Sequence, residues 1–156
     1  MGIYSGEHAD KVAGKHSARA IKVGVFVVII GRRNTLNIYI AHSTLFDYQS
    51  LLYLPLQNSK LWTQHKFILP YTDTIAPLNT KNIITHSDWI IAEVSYPSTG
   101  MGIELGWANI ANRQIICLYY NLANPSSSLQ YVANAIIAYN DVIDLIKKIE
   151  TILTKF

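Results

Sequence analysis

The residues that could carry chemistry gather in one stretch, Glu93-Val-Ser-Tyr-Pro-Ser-Thr-Gly-Met-Gly-Ile-Glu104. Pro97, Gly100 and Gly102 let backbone approach a ligand closely, and the turn runs into the start of a helix, where free N–H groups and the dipole favour an anion. Glu104 follows two residues after Gly102 and is expected in the first helical turn. It either complements the helix dipole or faces a cleft as a reactive carboxylate. Of eight acids after residue 34, Asp141, Asp144 and Glu150 belong to the C-terminal helix, which leaves Asp47, Asp73, Asp88, Glu93 and Glu104. Glu93, at a strand end, is either an acceptor for a ligand hydroxyl or a partner for loop N–H groups. No His, Cys or acid cluster has metal-ligand spacing, so neither metal nor other cofactor is expected. Cys117 lies in the apolar run Gln114 to Tyr120 and reads as a small buried hydrophobe.

The elements that must position these residues alternate. Strands are expected at 36–41, 66–69, 88–94, 114–120 and 135–139. Helices are expected over 46–64, with Pro55 breaking it or starting a second segment, from Asn79 as cap to Ser87, over 103–112, and from Asp141 to Lys155. Residues 88–94 are apolar on both faces, as in a parallel sheet covered by helices. The terminal helix carries Val142, Leu145, Ile149, Ile152 and Leu153 on one stripe. This order predicts an α/β fold, a Rossmann-like (flavodoxin-like) doubly wound parallel sheet of about five strands with helices on both faces. Ligands in such sheets bind beyond the carboxyl ends of the strands, here the loops at 41–44, 93–102 and 121–128.

Half of the 156 residues are apolar and 15% are charged, which excludes a disordered solvating chain. The net charge of +3 is unevenly placed: residues 1–33 carry +4 and residues 34–156 carry −1. A nucleic-acid footprint on the main body is therefore disfavoured. The longest apolar run, Val23 to Ile30, is too short to span a bilayer as a helix and reads as a strand. With no disulfide framework the expected location is cytoplasmic, without membrane association. Residues 1–35 form a basic extension, with an extra strand at 23–30, before a domain at 36–156. Trp62, Trp89 and Trp107 read as core or interface aromatics.

The segment Ala92-Glu-Val-Ser-Tyr-Pro-Ser-Thr-Gly-Met-Gly-Ile-Glu-Leu-Gly-Trp-Ala108, followed by an apolar strand containing Ile-Cys-Leu, closely resembles the signature of the nucleoside 2-deoxyribosyltransferase superfamily. It is most similar to the branch containing the 2′-deoxynucleoside 5′-phosphate N-hydrolases. Tyr39, in a strand before a Ser-containing turn, extends the likeness, which covers roughly residues 36–156 in element order.

The resemblance implies cleavage of an N-glycosidic bond, by hydrolysis or base transfer, with Glu104 attacking the anomeric carbon. Tyr39 matches the tyrosine that orients this glutamate; as a strand residue it also reads as a half-buried aromatic. Ser98 stands where transferases acting on free nucleosides have an aspartate, which favours a 5′-monophosphate. Ser128 matches a serine that reaches the phosphate in the neighbouring subunit, implying a homodimer or higher homo-oligomer; a helix cap is its other reading. Ser43 is a further phosphate donor, and His42 a contact to phosphate or base. His42 replaces the family glycine, Leu45 an arginine, and Thr80 or Asn79 an aspartate that acts near the leaving base. Asp73 or Asp47 are the candidates to replace that last group, and Asp47 is carried forward; its other reading is a helix-start acid. The partner is then a small nucleotide or nucleoside, with no nucleic-acid polymer. Two other functions fit the same residues: a catalytically weakened nucleotide-binding sensor, and a glycohydrolase of NAD-like dinucleotides.

Overall fold

In the computed structural model, residues 35–70 and 79–154 are described. The strand at 23–30, Asp73 and the end of the terminal helix at Lys155 lie outside them. Short runs rich in β-branched and aromatic side chains give β1 (Asn37–His42), β2 (Lys66–Ile68), β3 (Trp89–Glu93), β4 (Gln114–Tyr120) and β5 (Ala135–Tyr139). All pair in parallel in the order β2-β1-β3-β4-β5. The fold is the α/β sheet expected, and its strand order reverses at β1 and β3.

Period-2 alternation sorts the strand residues onto two faces. Ile38, Ile40, Trp89, Ile91, Ile116 and Leu118 pack on one side with Leu52, Leu56, Leu145 and Ile149. These last four come from α1 (Leu54–Gln57), the π-helical turn before it (Gln49–Tyr53) and α5 (Val142–Leu153). Tyr39, Ala41, Ile90, Ala92, Ile115 and Cys117 pack on the other with Ile84, Met101, Leu105 and Ala108, from α3 (Thr80–His86) and α4 (Thr99–Ile110). β3 is buried along its whole length, as its two-sided apolarity requires.

Local signals set the helix ends. The 46–64 region runs unbroken from the π-helical turn through Pro55 in the first turn of α1; it breaks instead at Asn58 and Ser59, where Ser59 is extended, and resumes as α2 (Lys60–Gln64). Asn79 caps α3 by accepting from the Asn82 amide, and Asp141 caps α5 by accepting from Asp144. α4 closes with Asn112 in the left-handed region at φ 53, its N–H bonded to the Asn109 carbonyl and that of Arg113 to Ala108. α4 also starts four residues earlier than the sequence suggested. Ser98 Oγ accepts from the Met101 amide and caps the helix, so Gly100 and Gly102 are helical and Glu104 lies beyond the first turn. Among the described residues no helix is long and apolar enough to cross a membrane.

Candidate active site

Glu104 reaches back from α4 to the sheet. Its Oε1 accepts a 2.9 Å hydrogen bond from the hydroxyl of Tyr39, whose ring is fully buried in β1. The pairing follows from parity: Tyr39 points to the face that α4 covers, and Leu105 and Met101 anchor that helix against the same face. The second oxygen of Glu104 has no hydrogen-bond partner among the described residues. Burial pushes the Glu104 carboxyl above the ordinary glutamate range, and the Tyr39 hydroxyl pulls it partly back. The result is a half-buried carboxylate, held by one oxygen and carrying the other free, beside the β1/β3 switch point.

Ser98, Gly102 and Ser128 line a cavity of about 460 Å³ between the α4 N-terminus and the β4–β5 connection; Gly100 is exposed one turn away. Ser128 stands inside a short 3₁₀ turn (Ser127–Tyr131) that Ser126 caps, so it is exposed rather than a cap itself. Apart from the helix's own backbone, a Cβ built at Gly102 or Gly106 would meet no atom of the described residues within 4 Å, and one at Gly100 only Ser98 Oγ at 3.9 Å. Nothing among the described residues demands these glycines, although each costs a helix about 1 kcal/mol relative to alanine. The space beside them is open.

The loop after β1 carries the remaining candidates. Ser43 is buried and its Oγ accepts from the Leu45 amide at 3.2 Å. Asp47 is exposed, with Oδ1 accepting from the Ser50 amide at 3.1 Å, which caps the π-helical turn. His42 is buried on the face opposite Tyr39. Its Nδ1 lies 2.8 Å from the Ser43 carbonyl, which only accepts, so Nδ1 carries the proton and Nε2 accepts from the Tyr53 hydroxyl at 2.7 Å. Burial lowers the His42 pKa, with the Ser43 carbonyl opposing, and the neutral ring packs among Phe46, Tyr48 and Tyr53.

Glu93 is the register partner of His42 and 2% exposed, on the same face, away from Glu104. Its Oε1 receives the Ser95 hydroxyl, the Ser95 amide at 3.3 Å and the Tyr139 hydroxyl at 3.0 Å; Oε2 is buried without a partner. Burial pushes its pKa up against those three hydrogen bonds. The structure thus joins Tyr39 to Glu104, gathers Ser98, Gly102 and Ser128 beside the α4 start, and separates His42 and Glu93 across the sheet. Ser95 and Tyr139 were missed by sequence reasoning. Their signal was position, since each stands at the carboxyl end of a strand.

No family model matches the chain. A 36-residue stretch is 53% identical to 5-hydroxymethyl-dUMP N-hydrolase of Danio rerio, covering 23% of this chain and a quarter (25%) of that relative. The fold is similar to that of CMP N-glycosidase BcmB from Clostridium botulinum, with TM-score 0.53 and 21% identity, over 73% of this chain and 98% of the other. The resemblance to nucleoside 2-deoxyribosyltransferase-like proteins read from residues 92–108 is borne out by one relative in sequence and another in fold.

Proposed function

We propose that this chain is an enzyme that cleaves the N-glycosidic bond of a nucleoside or nucleotide, with Glu104 as nucleophile. The observation that carries the reading is the Tyr39–Glu104 hydrogen bond at the switch point of the sheet. The free oxygen of Glu104 attacks the anomeric carbon while the bond to the base breaks, and the electron pair leaves with the base, which takes a proton from water. The resulting glycosyl ester is opened by water or by a second base. Partial burial raises the energy of the carboxylate, and the Tyr39 hydroxyl fixes which oxygen is free to react. The relatives named an N-hydrolase and an N-glycosidase support this class of reaction.

The finer substrate is a 5′-monophosphate, held by Ser98, by Ser128 across the same cavity and by the amides at the very start of α4, with Ser43 as a further donor. The capped α4 N-terminus and the open space beside its glycines support this part. The test is chromatography of free base after incubation with deoxynucleoside 5′-monophosphates, ribonucleoside 5′-monophosphates, free nucleosides and NAD. Base release from a monophosphate, exceeding that from its nucleoside, is the expected result. Calorimetric binding of the same compounds without base release would replace the enzyme by a nucleotide sensor.

A further inference from the structure

On the sheet face away from Glu104 lies a second cavity, of about 610 Å³, at the carboxyl ends of β3, β4 and β5. Its walls are aromatic and aliphatic, among them Phe46, Tyr96, Tyr120 and Leu122. Phe46 and Tyr96 lie parallel, ring centroids 5.5 Å apart and planes 6° from one another, so two separate loops form one flat aromatic block. The size and apolar lining are those of a small-molecule site.

The polar groups give it a definite sense. Ser95 and Tyr139 both line the cavity, and both hydroxyl protons are given to Oε1 of the buried Glu93 behind them. A hydroxyl has one proton. What Ser95 and Tyr139 can still offer a ligand is lone pairs, and Ser95 Oγ has one of these taken by the Tyr120 amide at 2.7 Å. Asn140 donates its amide to Asp144, and Asp141 adds an exposed carboxylate. No lysine or arginine is among the described lining residues. The cavity therefore presents flat apolar surface and mainly hydrogen-bond acceptors, and the carboxylates of Asp141 and Asp144 at the start of α5 oppose phosphate and other anions.

We propose that this cavity binds a planar, uncharged heteroaromatic ring whose edge carries N–H donors, as an amino-bearing nucleobase does. The ring packs against the Phe46–Tyr96 block and its amino group donates one hydrogen bond, to Tyr139. Glu93 acts as a positioning residue, holding both hydroxyls as acceptors. Binding here is independent of Glu104; only the idea that such a base is also the released product rests on the preceding reading.

Calorimetry with the full chain decides this, using adenine and purine, which differ by the amino group. Adenine is expected to bind about 3- to 10-fold tighter than purine, the worth of one hydrogen bond. Tyr139→Phe should weaken adenine by a similar factor and leave purine unchanged. Ala123→Trp, in an exposed loop lining the cavity, should abolish binding of both. Glu104→Ala should bind both as the wild type does. Equal affinity for adenine and purine, no binding of either, or binding lost in Glu104→Ala and kept in Ala123→Trp would overturn the proposal. None of these outcomes bears on whether Glu104 cleaves a glycosidic bond, which base release measures separately.

Discussion

Glu93 and Glu104 flank a single loop, and burial raises the pKa of both, yet they end on opposite faces of the sheet in opposite circumstances. Glu93 is sealed, with three hydrogen bonds converging on one oxygen. Glu104 is half-buried, with one bond to Tyr39 and an oxygen to spare. A perturbed pKa alone does not distinguish a reactive acid from a locking one; spare valence and access do. Glu93 ties the β3–α4 loop to β4 and β5 through Ser95 and Tyr139, and that loop leads into the helix that carries Glu104. One glutamate holds the frame in which the other reacts.

The comparison breaks most severely at Glu104. Glu104→Ala is expected to lower base release on the order of 10³-fold or more, as removal of a nucleophile does, with a Tm lower by only a few degrees as the buried Tyr39 hydroxyl loses one acceptor. Glu93→Ala should do the reverse in kind. It leaves the Ser95 and Tyr139 hydroxyls without their acceptor, at a cost of about 3 kcal/mol and a Tm lower by roughly 10 °C, read by calorimetry. Glu93→Gln keeps an acceptor and should cost less, and it also tests the linkage. Because the folded state holds the Glu93 proton more tightly than the unfolded chain, stability should fall as pH rises from the ordinary glutamate range to the raised Glu93 value, and Glu93→Gln should flatten that slope.

Tyr39→Phe is intermediate. Loss of a hydrogen bond to a charged group costs about 1.5–3 kcal/mol, or roughly 10- to 100-fold in kcat/KM. Since the Tyr39 hydroxyl holds the Glu104 pKa down, its removal should also move the acid limb of the pH–rate profile upward. An unmoved limb would separate Tyr39 from the reacting carboxylate. The smallest effect is expected at Asp47. Asp47→Ala should cost about 1 kcal/mol of stability as a lost cap and change base release less than about twofold. A hundredfold loss of turnover would make Asp47 the acid that serves the leaving base.

Much of this architecture is legible in the chain. The five strands announce themselves as short apolar runs rich in β-branched and aromatic residues and α5 by one apolar stripe, and the segment around Glu104 singles out its own glutamate. Other features depend on facts that no single segment carries. Ser98 read as a substrate group, and its capping of α4 moved the helix start upstream, carrying Glu104 out of the first turn. Tyr39 and His42 lie an odd number of residues apart, so parity already places them on opposite faces. Which face α4 would cover was hidden, because β3 is apolar on both. The bond between Tyr139 and Glu93 joins residues 46 positions apart and becomes visible only once β5 stands at the sheet edge.

The most direct test of the nucleophile is the intact mass of the protein after acid quenching during turnover of whichever nucleotide proves to be cleaved. The account predicts a wild-type adduct of one glycosyl group located on the peptide bearing Glu104, and neither adduct nor base release from Glu104→Ala. An adduct on another residue, or base release by Glu104→Ala at the wild-type rate, would contradict it.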